Sequence, residues 1–105
     1  MPKLPFKRIA VSGNSMAPKY NDGDWLIFHP IGKINPYQLR GRVVIFERDE
    51  LPGILQIKRA MHVEPVGFGL WVEGDNKPES TDSRHWGVVH DHEFRGVVLF
   101  RYKRN

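Results

Sequence analysis

Glycine and proline interrupt this chain so often that no amphipathic helix of three turns stands out. The 105 residues include 10 glycines and 8 prolines, and both residue types weaken or break a regular helix. Between the interruptions lie short runs rich in β-branched and aromatic residues, a pattern typical of strands separated by turns. The sequence therefore predicts a mostly β fold.

Six runs are predicted as strands, at residues 8–12, 25–29, 42–48, 55–63, 69–73 and 96–102. Turn residues separate them at 21–24, 52–53, 65–67 and 74–76. One helical turn is predicted at residues 15–20, because Ser favours a helix start and Pro18 fits a first turn.

The size and composition indicate one domain covering residues 1–105. A chain of this length is large enough for one hydrophobic core and too small for a second. Hydrophobic residues make up 40% and charged residues 27%, which is ordinary for a globular protein. The sequence has no internal repeat, low-complexity segment or linker.

Cysteine is absent, which excludes disulfides, thiolate zinc sites and cysteine nucleophiles. The run His90-Asp91-His92 offers two imidazoles, but no third and fourth metal ligand stand at a recognisable spacing. A polar turn before the last strand is the favoured interpretation, and no metal or cofactor is expected.

Membrane and nucleic acid are both weak candidates as partners. The longest apolar runs, such as residues 25–28 and 43–46, are far shorter than the ~20 residues that span a bilayer. The basic start of the chain lacks the apolar stretch of a secretory signal, so we expect a cytoplasmic protein, or a membrane-associated one if an N-terminal anchor was removed. The net charge of +4 allows nucleic acid binding, but no helix-turn-helix pattern or basic strand interleaved with aromatics supports it.

Residues 11–18, Val-Ser-Gly-Asn-Ser-Met-Ala-Pro, place Ser15 after a glycine turn and before a methionine. A serine hydroxyl becomes a nucleophile only when a base removes its proton. Without such a base, a serine before a proline-containing turn is more often a cap or turn residue, so both interpretations stay open here.

Lys58 is the candidate base. Strand alternation through residues 55–63 puts Lys58 on one face with Gln56, Ala60 and His62, and directs Arg59 to the other face with Leu55, Ile57, Met61 and Val63. A lysine in apolar surroundings loses its proton more readily, because burial disfavours the ammonium. The alternative is an exposed strand lysine without a catalytic role.

Several motifs, taken in order, resemble those of the type I signal peptidase family and the related self-cleaving SOS-response repressors, which are Ser-Lys proteases. Residues 13–18 resemble the nucleophile box Gly-x-Ser-Met-x-Pro of that family, and residues 21–26 its following Gly-Asp strand entry. The matching strands are residues 41–46 and 57–60, and the last box is residues 74–76, 80–84 and 86–87. Within that box, Asp75 and Asn76 are expected to shape the turn through hydrogen bonds from side chain to backbone.

The resemblance implies a single β domain of coiled antiparallel sheets and a role for each matching residue. Ser15 would attack the scissile carbonyl, and neutral Lys58 would take its proton. Ser80 matches the serine that hydrogen-bonds the lysine, while Asp82 and Arg84 match a pair that braces its loop. Two residues apart on an extended segment, Asp82 and Arg84 would lie on the same side, where we expect an ion pair. Some relatives carry a hydroxyl at the position of Gly13, so the backbone N–H of Ser15 is the expected oxyanion donor.

The implied substrate is a precursor protein that loses an N-terminal segment. Small members of this family include the proteases associated with maturation of nickel-type superoxide dismutase, and this is the best match by length. Two alternatives remain: a signal peptidase catalytic domain without its membrane anchor, and a non-catalytic β domain of the same fold that binds a protein or nucleic acid. Self-cleavage is not expected, because the chain has no Ala-Gly or Cys-Gly bond. The sequence does not specify the oligomeric state.

Overall fold

One curled antiparallel sheet of seven strands forms the protein in our computed structural model, which describes residues 6–31, 35–64 and 69–105. The strands are β1 (Lys7–Ala10), β2 (Trp25–Pro30), β3 (Val43–Phe46), β4 (Gln56–Glu64), β5 (Gly69–Glu73), β6 (Val89–His90) and β7 (Phe94–Lys103). Their order across the sheet is β1-β2-β7-β3-β4-β5-β6. The predicted mostly β fold is confirmed, with one sheet instead of several.

Helical structure is confined to short segments. The α-helix α1 covers Ser83–Trp86, and 3-10 turns cover Pro36–Leu39, Lys77–Glu79 and Asp91–Glu93. The stretch predicted as a helical turn, residues 15–20, is a series of turns and not a regular helix. One bond in it has the spacing of a helical turn, 2.9 Å from the Tyr20 N–H to the Met16 carbonyl. Within the described ranges, no helix has the length and apolar character that crossing a bilayer requires.

The two faces of the sheet each bury an apolar cluster, and β3 contributes to both. Val44 and Phe46 point into one cluster, which also contains Ala60 of β4. Val43 and Ile45 point into the other, which contains Met16 of the loop between β1 and β2. Successive strand residues face opposite sides, so a strand with both faces covered reads as a continuous apolar run.

The predicted strands correspond to β1–β5 and β7, with ends that differ by up to two residues. The two-residue strand β6 was missed, since a run this short carries no periodicity. The predicted turn at residues 65–67 lies outside the described residues.

The predicted faces of β4 need one correction. Lys58 and Ala60 do share a face opposite Arg59, as their pairing with β3 requires. The pairing with β5 shifts between Ala60 and His62, so the alternation does not continue through the strand. Val63 was expected opposite Ala60 but packs against the same apolar cluster. A bulge at this point resets which residues face the core.

Candidate active site

The loop between β1 and β2 carries Ser15 and is anchored by its apolar residues. Met16 is fully buried in the core, whereas Ser15 beside it is only half-buried. Gly13 adopts a φ of 86°, a conformation that glycine reaches without strain. Its N–H donates to the Asp22 carboxylate at 2.7 Å. The loop is thus fixed on both sides of Ser15, and the methionine anchors it in the core.

The turn after β5 packs directly on the backbone of this loop. The Asn76 N–H donates to the Ser15 carbonyl at 2.9 Å, and the Asn76 side-chain amide donates to the Asn14 carbonyl at 3.0 Å. A Cβ atom on Gly74 would lie 2.6 Å from the Ser15 carbonyl oxygen and would overlap the Ser80 hydroxyl oxygen. Only glycine fits at this close approach.

Ser15 and Lys58 line the same cavity, which has a volume of about 210 Å³. The other lining residues come from β1 and the segments around Ser15 and Lys58: Ile9, Ala10, Val11, Ser12, Ile54, Leu55, Gln56 and Ile57. The structure therefore brings together the two residues that the sequence put forward as nucleophile and base.

Lys58 is buried, with 6% of its surface exposed. Burial lowers the pKa of its ammonium below the ordinary value of 10.5, because an apolar environment disfavours the charged form. The Asp82 carboxylate opposes this shift, and the positive charge of Arg84 adds to it. The net effect is a lowered pKa, and a lysine that acts as a base requires a shift in this direction.

A buried carboxylate organises the loop beside this lysine. Asp82 is fully buried and accepts hydrogen bonds from the Ser80 hydroxyl at 2.6 Å and from the Gly74 N–H at 2.9 Å. The Arg84 guanidinium lies 2.9 Å away through Nε. Burial raises the pKa of Asp82, but the hydrogen bonds from Arg84, Ser80 and Gly74 outweigh it and hold the pKa well below its usual range.

The sequence predicted an Asp82–Arg84 ion pair on an extended segment, but the local conformation is different. Asp82 caps α1 by accepting a 3.2 Å bond from the Arg84 N–H, and Arg84 lies in the first turn of that helix. The ion pair forms because the guanidinium folds back on the capping carboxylate.

Two predicted contacts stay predictions. Among the hydrogen bonds of residues 6–31, 35–64 and 69–105, the Ser80 hydroxyl donates to Asp82, and none joins Ser80 to Lys58. In the same ranges no acceptor is found for the Ser15 N–H, which leaves this group available as the predicted oxyanion donor.

Sequence reasoning missed the partner of Asp75, whose expected role was to bond the turn backbone. Its carboxylate instead accepts two 2.8 Å bonds from Arg59. Arg59 also donates to the Gly41 carbonyl at 2.8 Å. This bidentate pair fastens β4 to the turn that supports Ser15. The sequence did contain one indication of this pair. Strand alternation directs Arg59 to the face opposite Lys58, where its guanidinium can bond Asp75.

The histidine run at residues 90–92 acquires neighbours that the sequence did not indicate. Asp49 and Glu93 place carboxylate oxygens near the His92 ring, with all candidate ligand atoms within 4.8 Å of one another. These atoms already bond protein groups: His92 Nε2 meets Asp49 at 2.6 Å, and Glu93 accepts from the N–H groups of Asp49 and His90. This bonding accounts for the cluster without a metal.

Comparison with known proteins shows that part of the chain is similar to the signal peptidase family. The family model described as signal peptidase, peptidase S26, matches residues 68–103. This span contains Ser80, Asp82 and Arg84 and lies C-terminal to both Ser15 and Lys58. No curated protein matches the chain. The match supports a signal peptidase-like protease.

Proposed function

We propose that the chain is a serine endopeptidase in which Ser15 is the nucleophile and Lys58 is the general base. The observation that carries this proposal is their shared cavity, in which the lysine is buried and its pKa is lowered. A serine in a turn or an exposed strand lysine has no need of either feature.

In the proposed reaction, neutral Lys58 accepts the hydroxyl proton as Ser15 Oγ bonds to the scissile carbonyl carbon. The lysine then gives this proton to the departing amine, and an acyl-Ser15 ester forms. A water that Lys58 deprotonates hydrolyses the ester and restores both residues. The Ser15 N–H stabilises the oxyanion in both steps, at ~3 kcal/mol for a donor of this kind.

Asp82, Ser80 and Arg84 act as positioning residues in this proposal. Asp82 holds the Ser80 hydroxyl and the Gly74 N–H, and so fixes the turn that packs on Ser15. Its negative charge raises the pKa of Lys58, and Arg84 opposes this effect. The pair therefore adjusts how readily the lysine accepts a proton, besides bracing the loop.

The proposed substrate is a precursor polypeptide from which an N-terminal segment is removed. The catalytic cavity is bounded by the end of β1 and the start of β4, which is an arrangement suited to an extended chain. The pro-form of nickel superoxide dismutase, processed in the cytoplasm, is the narrower candidate. It is supported by the motif resemblance.

The test is cleavage read by intact mass. The purified chain and its Ser15→Ala, Lys58→Ala and Ser12→Ala variants are incubated with a peptide library and with pro-nickel superoxide dismutase. Ser12 lines the same cavity and serves as the matched control. We expect Ser15→Ala and Lys58→Ala to lose at least ~10³-fold in rate, while Ser12→Ala stays active.

The peptide library tests whether the chain is a peptidase, and the superoxide dismutase precursor tests whether that protein is its substrate. Cleavage that persists in Ser15→Ala would overturn the mechanism. Cleavage of library peptides with no cleavage of the superoxide dismutase precursor would exclude that precursor and retain the peptidase.

A further inference from the structure

A second and larger cavity, of about 730 Å³, adjoins the catalytic one along β1. The two cavities share Ile9 and Leu55 in their walls. A polypeptide held at Ser15 in extended form, at ~3.3 Å per residue, enters this space within a few residues of the cleaved bond. The second cavity is therefore placed to contact the substrate away from the bond itself.

The walls of this cavity combine apolar side chains with positive charge. Phe28 and Phe94 are buried apolar residues on its floor. Lys7, Arg8, His92 and Arg95 also line it, and no acidic residue of the described ranges does. Polar walls of one sign favour a ligand of the opposite sign.

The nearby carboxylates neutralise this charge only in part. Arg95 pairs with Glu47 at 3.5 Å and His92 with Asp49 at 2.6 Å, and neither acid lines the cavity. The hydrogen bond to Asp49 raises the pKa of His92, so its charged form persists to higher pH. Lys7 takes part in no ion pair within the described part of the chain.

Arg8 contributes less positive charge to the inside of the cavity than Lys7 does. Its guanidinium lies 5.6 Å from the centre of the Trp25 ring, and strand alternation directs the Arg8 side chain to the face of β1 opposite Lys7. Lys7 pairs with Phe28, whose side chain lies in the buried core. Lys7 and Arg95 are therefore the cations to test.

We propose that the second cavity binds an acidic segment of the polypeptide that the catalytic cavity cleaves, with Lys7 and Arg95 contacting its carboxylates. This inference rests on the proposed function and adds a substrate class to it: polypeptides with Asp or Glu a few residues from the cleaved bond. The apolar floor fits the hydrophobic side chains between them.

A binding assay tests this site without relying on catalysis. Fluorescein-labelled peptide pools share a randomised core and carry Asp, Asn or Lys in the flanking positions, and their anisotropy is measured with the Ser15→Ala chain. At low ionic strength we expect the Asp pool to bind on the order of fivefold more tightly than the Asn pool, and the Lys pool to bind least. The preference is expected to shrink in high salt because these charges are partly exposed.

A charge-matched pair of variants provides the control. In the Ser15→Ala background, Lys7→Gln with Arg95→Gln should remove the preference for Asp. Arg40→Gln with Arg104→Gln lowers the net charge equally at exposed positions outside the cavity and should retain it. Equal binding of the Asp and Asn pools, or a preference that survives Lys7→Gln with Arg95→Gln, would overturn the proposal.

Cleavage of the same pools by the unmodified chain keeps the two proposals distinguishable. A preference for Asp without any cleavage would support the acidic site and count against the peptidase. Cleavage without the preference would support the peptidase and exclude the acidic site.

Discussion

The backbone N–H of Asn76 donates a 2.9 Å hydrogen bond to the carbonyl oxygen of Ser15. Through this bond the turn after β5 sets the position of the candidate nucleophile, which lies between β1 and β2. The same turn is bonded to Asp82 through Gly74 and to Arg59 through Asp75. The geometry at Ser15 therefore depends on residues spread over most of the chain.

Gly74→Ala should disturb the site through this turn. The added methyl group would overlap the Ser80 hydroxyl oxygen, so the turn has to move. We expect a loss of roughly 1–3 kcal/mol in the free energy of unfolding and at least a ~10-fold loss of cleavage rate per folded molecule. Urea unfolding and peptide cleavage measure the two effects.

Gly87→Ala is the control for that variant. Gly87 also has a positive φ, of 91°, but a Cβ atom added there would meet no heavy atom within 4 Å among the described residues. The substitution should cost stability through backbone strain while leaving the cleavage rate of the folded protein unchanged. Equal rates for the two variants would show that the turn does not set the position of Ser15.

Asp82→Asn should weaken the fold in a pH-dependent way. The carboxylate has a folded pKa below its unfolded value, so its contribution to stability is present above about pH 4 and is lost as the pH falls toward the folded value. At neutral pH we expect the variant to lose about 3 kcal/mol in the free energy of unfolding. The difference from the unmodified chain should narrow in acid, as followed by denaturant unfolding.

Asp91→Asn is the matched control, since Asp91 is exposed. Its effect on the free energy of unfolding should stay within ~0.5 kcal/mol at every pH. A constant difference between Asp82→Asn and the unmodified chain down to strong acid would contradict the assigned ionisation.

The pH dependence of cleavage should follow the charge near Lys58. Activity is expected to rise with pH along one limb as the lysine loses its proton, at lower pH than an ordinary lysine would give. Arg84 lowers the pKa of Lys58, so Arg84→Gln should move this limb to higher pH. The profile of kcat/KM measures the shift.

Arg104→Gln removes an exposed positive charge near the C-terminus and should leave the limb in place. If Arg84→Gln left the limb unmoved, or shifted it to lower pH, Lys58 would not be the group that titrates.

Lys58→Met should stabilise the fold while removing activity. The folded pKa of Lys58 lies below the unfolded value, so the charged lysine opposes folding in acid. Stability of the unmodified chain should rise with pH between the folded value and 10.5. Methionine keeps an unbranched side chain without the charge, so Tm at neutral pH should increase. The rise of stability with pH seen in the unmodified chain should be absent from the variant.

Lys103→Met provides the comparison, because Lys103 is exposed at the end of β7. It should change neither Tm nor its pH dependence appreciably. If Tm and its pH dependence were the same in the two variants, burial would not disfavour the charged form of Lys58.

Local patterns predicted the main elements of the fold, whereas Ser15 and Lys58 were put forward by the motifs that resemble the signal peptidase family. The strand Gly69–Glu73 has the predicted bounds, and the turn residues Gly74, Asp75 and Asn76 follow it directly. The alternation of β4 correctly separated Lys58 from Arg59. Both features depend on neighbours in sequence.

Contacts between distant segments escaped prediction. The bulge after Ala60 arises from pairing with β5, so alternation within β4 does not reveal it. The Arg59–Asp75 pair and the His92–Asp49 contact join residues that only the folded sheet brings together. Asp82 was predicted on an extended segment, but its capping of α1 sets the conformation of the next residues.

Acylation of Ser15 tests the central claim most directly. The chain is mixed with peptide p-nitrophenyl esters and quenched rapidly in acid, and the modified residue is located by mass spectrometry of its fragments. We predict an acyl group on Ser15, its absence from Ser15→Ala, and formation at least ~10²-fold slower in Lys58→Ala. An acyl group on a different residue, or one that forms on Ser15 at an unchanged rate in Lys58→Ala, would contradict the account.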